Sequence, residues 1–278
     1  MKKLTAAFQG ERGAFSEEAA RKLLGQDVQV VPCQRFEEVF QAVASGKTDA
    51  AVIPIENTLH GSIHENYDHL LRFHLPIIAE TNLRIVHNLM APGKVRFKEI
   101  RRVYSHPVAL NQCRRFFAEN PQIESVQFYD TAGSVKHLIE NPEAGAAAIA
   151  SSVAAEFYGA HIVRRSIEDD RQNFTRFFLL RRDAVPAAAS RKGDWKTSIV
   201  FNLRNVPGAL FRAMSVFALR DINLGKIESR PLRGKPWEYH FYVDFLEHVD
   251  AEVSQKAMGH LSEFADAVHV LGCYPRGA

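Results

Sequence analysis

Cysteine is scarce in this sequence, and its placement argues against a cysteine-based metal or redox site and against a disulfide-rich secreted domain. The three cysteines, Cys33, Cys113 and Cys273, lie far apart and show no spacing typical of a metal site or a redox pair. An odd number without a framework argues against a small secreted domain held by disulfides. We therefore expect reduced thiols and a cytoplasmic protein.

Long apolar runs and a strong charge of one sign are also absent. No stretch approaches the roughly 20 apolar residues that cross a membrane, and the first residues lack the apolar run of a signal peptide. The 35 basic and 32 acidic residues are scattered along the chain and leave a net charge of +3. Because there is no basic run with interleaved aromatic residues, we expect neither a nucleic-acid partner nor a membrane partner.

Several familiar site templates fail on spacing. His64 and His69 are five residues apart, whereas a zinc-binding helix needs a separation of four to bring both rings onto one face. Gly10 and Gly13 follow the first predicted strand but lack the other glycines of a phosphate loop, and this pattern is more typical of a tight turn. Neither a metal site nor a phosphate site is supported.

The first 183 residues alternate short apolar strands with amphipathic helices, which is the pattern of an α/β fold. A stretch with linker character follows at residues 184–194, where a proline, small residues and a glycine interrupt any apolar period. Residues 195–278 then read as βαββαβ, a ferredoxin-like order. We predict a first domain over 1–183, with a second lobe at about 80–172, a linker over 184–194, and a second domain over 195–278.

Polar residues stand directly after several predicted strands, which is where ligands bind in open α/β sheets. Glu56-Asn57, Ser105-His106 and Thr131-Ala132-Gly133 follow strands, and Asn173 to Phe177 interrupt an apolar one. Each of these segments alone is typical of a helix cap or a turn. Together they can line one cleft.

Four of these motifs, in this order and spacing, resemble those of the prephenate dehydratase family. They are Pro54-Ile55-Glu56-Asn57, Ser105-His106-Pro107, Asp130-Thr131-Ala132-Gly133 and Thr175-Arg176-Phe177. The C-terminal region resembles the ACT domain attached to such enzymes, through Gly208-Ala209-Leu210 and Glu228-Ser229-Arg230-Pro231. The resemblance covers essentially the whole chain.

The resemblance implies a two-lobed catalytic domain like a periplasmic binding protein, with the active cleft between the lobes and with no metal or organic cofactor. Thr175 is the implied catalytic residue. The implied substrate-binding residues are Glu56, Asn57, Ser105, His106, Gln112, Thr131, Ala132, Gly133, Asn173, Arg176 and Phe177.

The implied activity is the conversion of prephenate to phenylpyruvate with loss of water and CO2, under feedback control by L-phenylalanine. ACT domains resemble half-sites that close at an interface, so we expect a homo-oligomer, either a dimer or a tetramer. The implied effector-binding residues are Gly208, Ala209, Leu210, Asn223, Glu228, Ser229, Arg230 and Pro231.

A mechanism follows from this resemblance as a hypothesis. The Thr175 hydroxyl would donate a hydrogen bond to the departing hydroxide without itself changing charge. A cation on the ring carboxylate would oppose its conversion to neutral CO2, so Arg176 is expected to hold the side-chain carboxylate instead.

Two alternatives remain open at the level of sequence. Arogenate dehydratase, which makes phenylalanine directly, is favoured by Gly10-Glu11-Arg12-Gly13, which departs from the usual bacterial Gly-Pro pattern. The more distant alternative is a non-catalytic amino-acid-sensing protein on the same fold, since fold alone does not decide function.

Overall fold

The structure, a computed structural model, describes residues 3–183, 194–232 and 234–277. The predicted linker, 184–194, lies outside the described residues except for Asp194, so the predicted domain boundaries stay a prediction. The chain divides by its contacts into two compact units. The first unit comprises Met1–Asn66 and Thr81–Phe177, and the second comprises Tyr67–Glu80 and Phe178–Ala278.

The secondary structure elements are numbered in chain order. The strands are β1 Thr5–Gln9, β2 Gln29–Cys33, β3 Ala50–Asn57, β4 Gly61–Ser62, β5 Ile77–Arg84, β6 Asn88–Ala91, β7 Arg102–Ser105, β8 Glu124–Gln127, β9 Ala146–Ala150, β10 His161–Arg164, β11 Phe174–Leu180, β12 Trp195–Leu203, β13 Leu224–Pro231, β14 Tyr239–Phe245 and β15 Ala265–Pro275. The helices are α1 Phe15–Leu24, α2 Phe36–Ala44, α3 His64–Phe73, α4 Pro107–Asn111, α5 Arg114–Glu119, α6 Thr131–Glu140, α7 Ser152–Tyr158, α8 Ala209–Ala218 and α9 Glu252–Leu261.

The first lobe of the first unit is a sheet with the strand order β2-β1-β3-β11. Strand β1 pairs in parallel with both β2 and β3. Its central residues Ala6, Ala7 and Phe8 are fully buried, as expected for a parallel strand covered on both faces. Pro32 is tolerated in β2 because that strand lies at the edge of the sheet.

The second lobe is a five-stranded sheet with the order β10-β6-β9-β7-β8. Strand β7 is parallel to β8 and β9, whereas β6 runs antiparallel to β9 and β10. One hydrophobic cluster contains Phe8 and Ala14 from the first lobe together with Met90, Ala132 and Ala154 from the second. The two lobes of the first unit are therefore packed against each other over a common core.

The ACT-like part of the second unit has the strand order β13-β14-β12-β15, with antiparallel pairing along β12, β13 and β14. Helices α8 and α9 contribute Ala213, Val216, Ala257 and Leu261 to its core. This is the βαββαβ arrangement of a ferredoxin-like domain. Together with the two α/β lobes of the first unit, it confirms the predicted fold class.

Within the described ranges, no helix is both long enough and apolar enough to span a membrane.

Candidate active site

The side chain of Asn57, at the end of β3, is fixed from both sides. Its Oδ1 accepts the backbone N–H groups of Leu59 and His60, each at 3.0 Å. Its Nδ2 donates to Thr175 Oγ1 at 2.9 Å and to Asn173 Oδ1 at 2.8 Å. Because a carbonyl oxygen only accepts and an NH2 group only donates, these partners define which way the amide points.

The Thr175 hydroxyl on β11 therefore acts as an acceptor towards Asn57. Its own hydrogen remains available, since within the described part of the chain this hydroxyl donates to no other group. The Thr175 side chain is buried, with the residue 8% exposed. The arrangement presents a hydroxyl donor that is oriented by a neighbour and largely shielded from water.

Arg176 lies beside Thr175 in sequence but leaves β11 on the other face of the sheet, because successive side chains of a strand alternate. Its Nη1 lies 3.5 Å from Glu56 Oε1. Neighbouring residues of β3 and β11 are thus linked twice by side chains, Asn57 to Thr175 and Glu56 to Arg176. Glu56, Asn57, Phe174 and Arg176 line a cavity of about 360 Å³. Phe177, the next residue of β11, is buried in the core.

Gln112, at the C-terminal end of α4, connects the two lobes. Its Oε1 lies 2.7 Å from His87 Nε2, and its Nε2 lies 3.1 Å from His60 Nδ1. His60 belongs to the turn after Asn57, so Gln112 of the second lobe is joined to the Asn57–Thr175 group of the first. Neither histidine was predicted, because a single histidine in a turn or at a strand end has no periodic signal in sequence.

Ser105 and His106 stand where β7 passes into α4, and both are engaged locally. Ser105 is fully buried, and its hydroxyl donates to the Ile149 carbonyl at 2.7 Å. His106 caps α4, with Nδ1 accepting the Val108 N–H at 3.2 Å. Burial lowers the pKa of His106, and the nearby His60 lowers it further.

The first turn of α6 contacts the loop after β1. Asp130 caps this helix by accepting the Gly133 N–H at 2.6 Å, and burial raises the pKa of Asp130 despite that bond. A Cβ on Gly133 would lie 2.8 Å from the Tyr129 ring, so only glycine allows that ring to cover the helix end. Thr131 opens the helix and Ala132 is buried in the core shared by the lobes.

The predicted effector residues fall into two groups within the second unit. Gly208, Ala209 and Leu210 line a cavity of about 330 Å³ together with Trp237 and Tyr239. Gly208 adopts φ 77°, a left-handed conformation that suits glycine, and it is the N-cap residue that precedes α8.

The other effector residues lie on or next to β13, the edge strand of the ACT-like sheet. Arg230 pairs with Asp68 of α3 at 3.1 Å, and Glu228 lies 3.6 Å from Lys226. Ser229 and Pro231 pair with β14, and the Asn223 carbonyl accepts the Leu246 N–H.

Among the residues that the structure describes, no cluster of three or more histidine, cysteine or acidic side chains is arranged to hold a metal ion.

Comparison with known proteins identifies the family. The prephenate dehydratase profile matches residues 6–185, and the ACT domain profile matches residues 197–261. Arogenate dehydratase/prephenate dehydratase 2 of Arabidopsis thaliana, a chloroplastic protein, is 46% identical over 283 residues, covering 98% of this chain and 73% of the relative.

Two solved structures share the whole architecture. Prephenate dehydratase from Arthrobacter aurescens in complex with L-Phe is 31% identical with a TM-score of 0.89, covering 98% of this chain and 90% of that one. A protein described as GqqA, a novel type of quorum quenching acylase, is 32% identical with a TM-score of 0.90, covering 98% and 97%. The resemblance inferred from the sequence motifs is confirmed, and the chain belongs to the prephenate dehydratase family, with an ACT domain at its C-terminal end.

Proposed function

We propose that this protein is a prephenate dehydratase, a carbon–oxygen lyase that also decarboxylates. The bond between the ring and its carboxylate breaks to release CO2, the electron pair enters the ring, and the hydroxyl across the ring leaves as hydroxide, which takes a proton from the solvent to become water. Negative charge develops on the leaving oxygen, so a hydrogen-bond donor aimed at that oxygen lowers the barrier. The observation that carries the proposal is the Thr175 hydroxyl, which Asn57 orients with its hydrogen left to donate.

The same geometry favours a donor role for Thr175 over a nucleophilic one. A nucleophilic hydroxyl needs a neighbouring base to accept its proton, whereas Asn57 Nδ2 donates to Thr175 Oγ1 at 2.9 Å. Acylase chemistry is therefore not carried over from the structurally similar acylase.

Arg176 is proposed to act through Glu56. The guanidinium and the Thr175 hydroxyl leave opposite faces of β11, and Arg176 Nη1 lies 3.5 Å from Glu56 Oε1. This position supports a role in holding β3 beside β11 more than the expected grip on the side-chain carboxylate. A loss of turnover in Arg176→Gln at nearly unchanged KM would fit this role, whereas a rise in KM alone would favour direct substrate binding.

Arogenate is the second candidate substrate. The Arabidopsis thaliana relative carries both activities in its name, and it shares 46% of its aligned residues with this chain. Arogenate differs from prephenate only in carrying an amino acid in place of the keto acid, so the chemistry at the ring is the same. Discrimination must then come from the groups that meet the side chain.

Incubation with each substrate separately tests the proposal. We expect phenylpyruvate from prephenate, with a higher kcat/KM than for formation of phenylalanine from arogenate. A clear preference for arogenate would transfer the assignment to arogenate dehydratase. Absence of both products from folded protein would overturn the proposal in favour of a non-catalytic sensor.

We further propose that L-phenylalanine is the feedback effector and that the chain forms a dimer or tetramer through its ACT domains. The cavity at Gly208–Leu210 is walled by Trp237 and Tyr239, which suits an aromatic side chain, and the similar Arthrobacter aurescens protein was solved with L-Phe. Within one chain Glu228, Ser229, Arg230 and Pro231 do not line this cavity, which fits a site completed by a second copy.

Two measurements check these points. The rate of prephenate conversion should fall as the concentration of phenylalanine rises. Light scattering should give a mass of two or four chains. A monomer with a rate that does not respond to phenylalanine would contradict both.

The three cysteines are free, which supports a reducing compartment such as the cytoplasm.

A further inference from the structure

The carboxamide of Gln112 is held between two imidazole rings, one from each lobe of the first unit. His87 Nε2 lies 2.7 Å from Gln112 Oε1, and His60 Nδ1 lies 3.1 Å from Gln112 Nε2. Since Oε1 only accepts, His87 must carry its proton on Nε2, and since the NH2 group only donates, His60 must accept through Nδ1. Turning the amide over would make His60 the donor through Nδ1 and His87 the acceptor through Nε2, so in either orientation two neutral rings would be the same tautomer.

The His87 end of this arrangement is rigid. His87 is 2% exposed, its backbone N–H donates to Glu168 Oε2 at 3.0 Å, and Glu168 is in turn paired with Arg84 at 2.9 Å. The ring packs edge-on against Phe15, with centroids 5.7 Å apart. Burial lowers the pKa of His87, although the bond to Gln112 and the charge of Glu168 oppose this, so the ring stays neutral at neutral pH.

The His60 end reaches the catalytic group. The His60 backbone N–H donates to Asn57 Oδ1 at 3.0 Å, and the Nδ2 of the same amide donates to Thr175 Oγ1. A continuous series of hydrogen bonds thus runs from buried His87 through Gln112, His60 and Asn57 to the Thr175 hydroxyl. It crosses from the second lobe to the first.

We propose that His60 and His87 are positioning residues that clamp Gln112 and thereby fix the Asn57 amide and the direction of the Thr175 hydroxyl. The clamp rests on the proposed dehydratase function of Thr175. It assigns a role to two residues that contact no reacting atom: they hold a residue of the second lobe against the turn that orients the donor.

The variants at His60 separate positioning from folding. His60 is exposed, so its substitution should change the melting temperature little. We expect His60→Ala to lower kcat about 10-fold to 100-fold, the range that a small misplacement of a catalytic group produces, with KM changed much less. His60→Asn, which places an amide oxygen near the former Nδ1, should recover most of the rate. His161→Ala, at an exposed histidine of β10 outside the clamp, is the matched control.

A double-substitution cycle and a spectroscopic readout complete the test. Because the clamp acts as a unit, His60→Ala should add little to the effect of Gln112→Ala. Nitrogen-15 NMR of the histidine rings should find His60 and His87 in the same neutral tautomer, and it does so without any turnover. A kcat for His60→Ala within about twofold of the unsubstituted protein, additive effects in the cycle, or different tautomers would overturn the proposal.

The unsubstituted protein in the same assay separates this proposal from the proposed function. If it converts neither prephenate nor arogenate, the function fails, and the tautomers still decide whether the clamp exists. If it is active and the His60 variants match it, the function stands and the clamp fails.

Discussion

The Thr175 hydroxyl is oriented by a single amide, and this defines what its removal should do. Thr175→Ala deletes the donor to the leaving oxygen, so we expect kcat to fall by about 10²-fold to 10³-fold with little change in KM. Thr175→Ser retains the hydroxyl and should stay within about tenfold of the unsubstituted rate, because only a methyl group is lost. Steady-state kinetics with prephenate checks both variants. Equal rates for the alanine and serine variants would contradict the donor role.

Glu17 links stability to pH at the residue scale. Burial disfavours its charge most strongly, but bonds from Arg12, the Gly13 N–H and Arg21 together outweigh this and hold the pKa of Glu17 below its ordinary value of 4.5. Folding therefore stabilises the carboxylate, and this contribution is present above pH 4.5 and lost as the pH falls through the lower, folded-state pKa.

Glu17→Gln removes the negative charge that Arg12, Arg21 and the Gly13 N–H stabilise. We expect it to lower the free energy of unfolding by about 1–3 kcal/mol at neutral pH, and by progressively less below the ordinary pKa of a glutamate. Urea unfolding of both proteins across the acid range provides the measurement. A difference in the free energy of unfolding between the two proteins that grows as the pH falls would contradict this prediction.

The sequence predicted which residues belong to the site better than it predicted where their side chains point. Asn57 and Thr175 were both predicted site residues, and the structure joins them by one hydrogen bond. The alternation of β11 then separates Thr175 from Arg176, although their neighbouring positions suggested a shared substrate. The alternation itself follows from a strand at Phe174–Leu180, but which neighbours each side chain meets depends on how β11 pairs in the sheet, and no local pattern encodes that.

At the scale of elements, Gly13 fixes the packing of the first loop on α7. A Cβ there would lie 2.6 Å from Ala154 Cα, the φ angle is +82°, and the Gly13 carbonyl accepts the Ser151 hydroxyl at 2.7 Å. Gly13 is thus required by its positive φ and by a close approach between the lobes.

Gly13→Ala should lower the free energy of unfolding by about 2–4 kcal/mol, since it combines a strained backbone with an overpacked contact. Gly159→Ala is the matched control, because Gly159 adopts a left-handed conformation with φ +71° and ψ +23°, and a Cβ added there would meet no atom of the described residues within 4 Å, its chain neighbours aside. It should lose only the conformational part, about 1 kcal/mol. Equal losses in chemical unfolding would show that the contact with Ala154 contributes nothing.

Long-range contacts explain why some element boundaries escaped prediction. The helix that opens at Pro107 ends at Asn111, and a new helix begins at Arg114 because Asp169 accepts the N–H groups of Arg114 and Arg115 at 2.8 and 3.0 Å. The capping carboxylate lies more than fifty residues away along the chain. Pro107 is typical of a first helical position, so the start of this helix can be expected from the sequence, but its break after Asn111 cannot.

At the scale of the whole molecule, the two units do not follow a single cut in the sequence. Residues 67–80 belong with the C-terminal unit. There Glu80 forms an ion pair with Lys196 Nζ at 2.6 Å and accepts a hydrogen bond from the Gly277 N–H at 3.0 Å. A Cβ on Gly272 would lie 2.1 Å from the Ile77 carbonyl oxygen, so β15 approaches β5 at backbone distance. Contacts between residues nearly two hundred positions apart have no signature in sequence, so the association of residues 67–80 with the C-terminal unit could not be predicted.

A chain that ends at residue 183 should therefore fold poorly. It keeps Tyr67 and Ile77, which are buried, but lacks Tyr242 and Gly272, which pack against them, so apolar surface that is buried in the full chain is returned to water. We expect a clearly lower melting temperature than that of the full chain, measured by circular dichroism. Adding residues 184–278 as a separate polypeptide should recover part of the difference. A truncated chain as stable as the full one would contradict the interleaved division.

The contact between Gly277 and Glu80 also has a practical side. A Cβ on Gly277 would lie 2.6 Å from the Glu80 carbonyl oxygen, so Gly277 approaches β5 at backbone distance. Any side chain at residue 277 would have to push β5 aside. Variant libraries that vary this segment should therefore keep residue 277 as glycine.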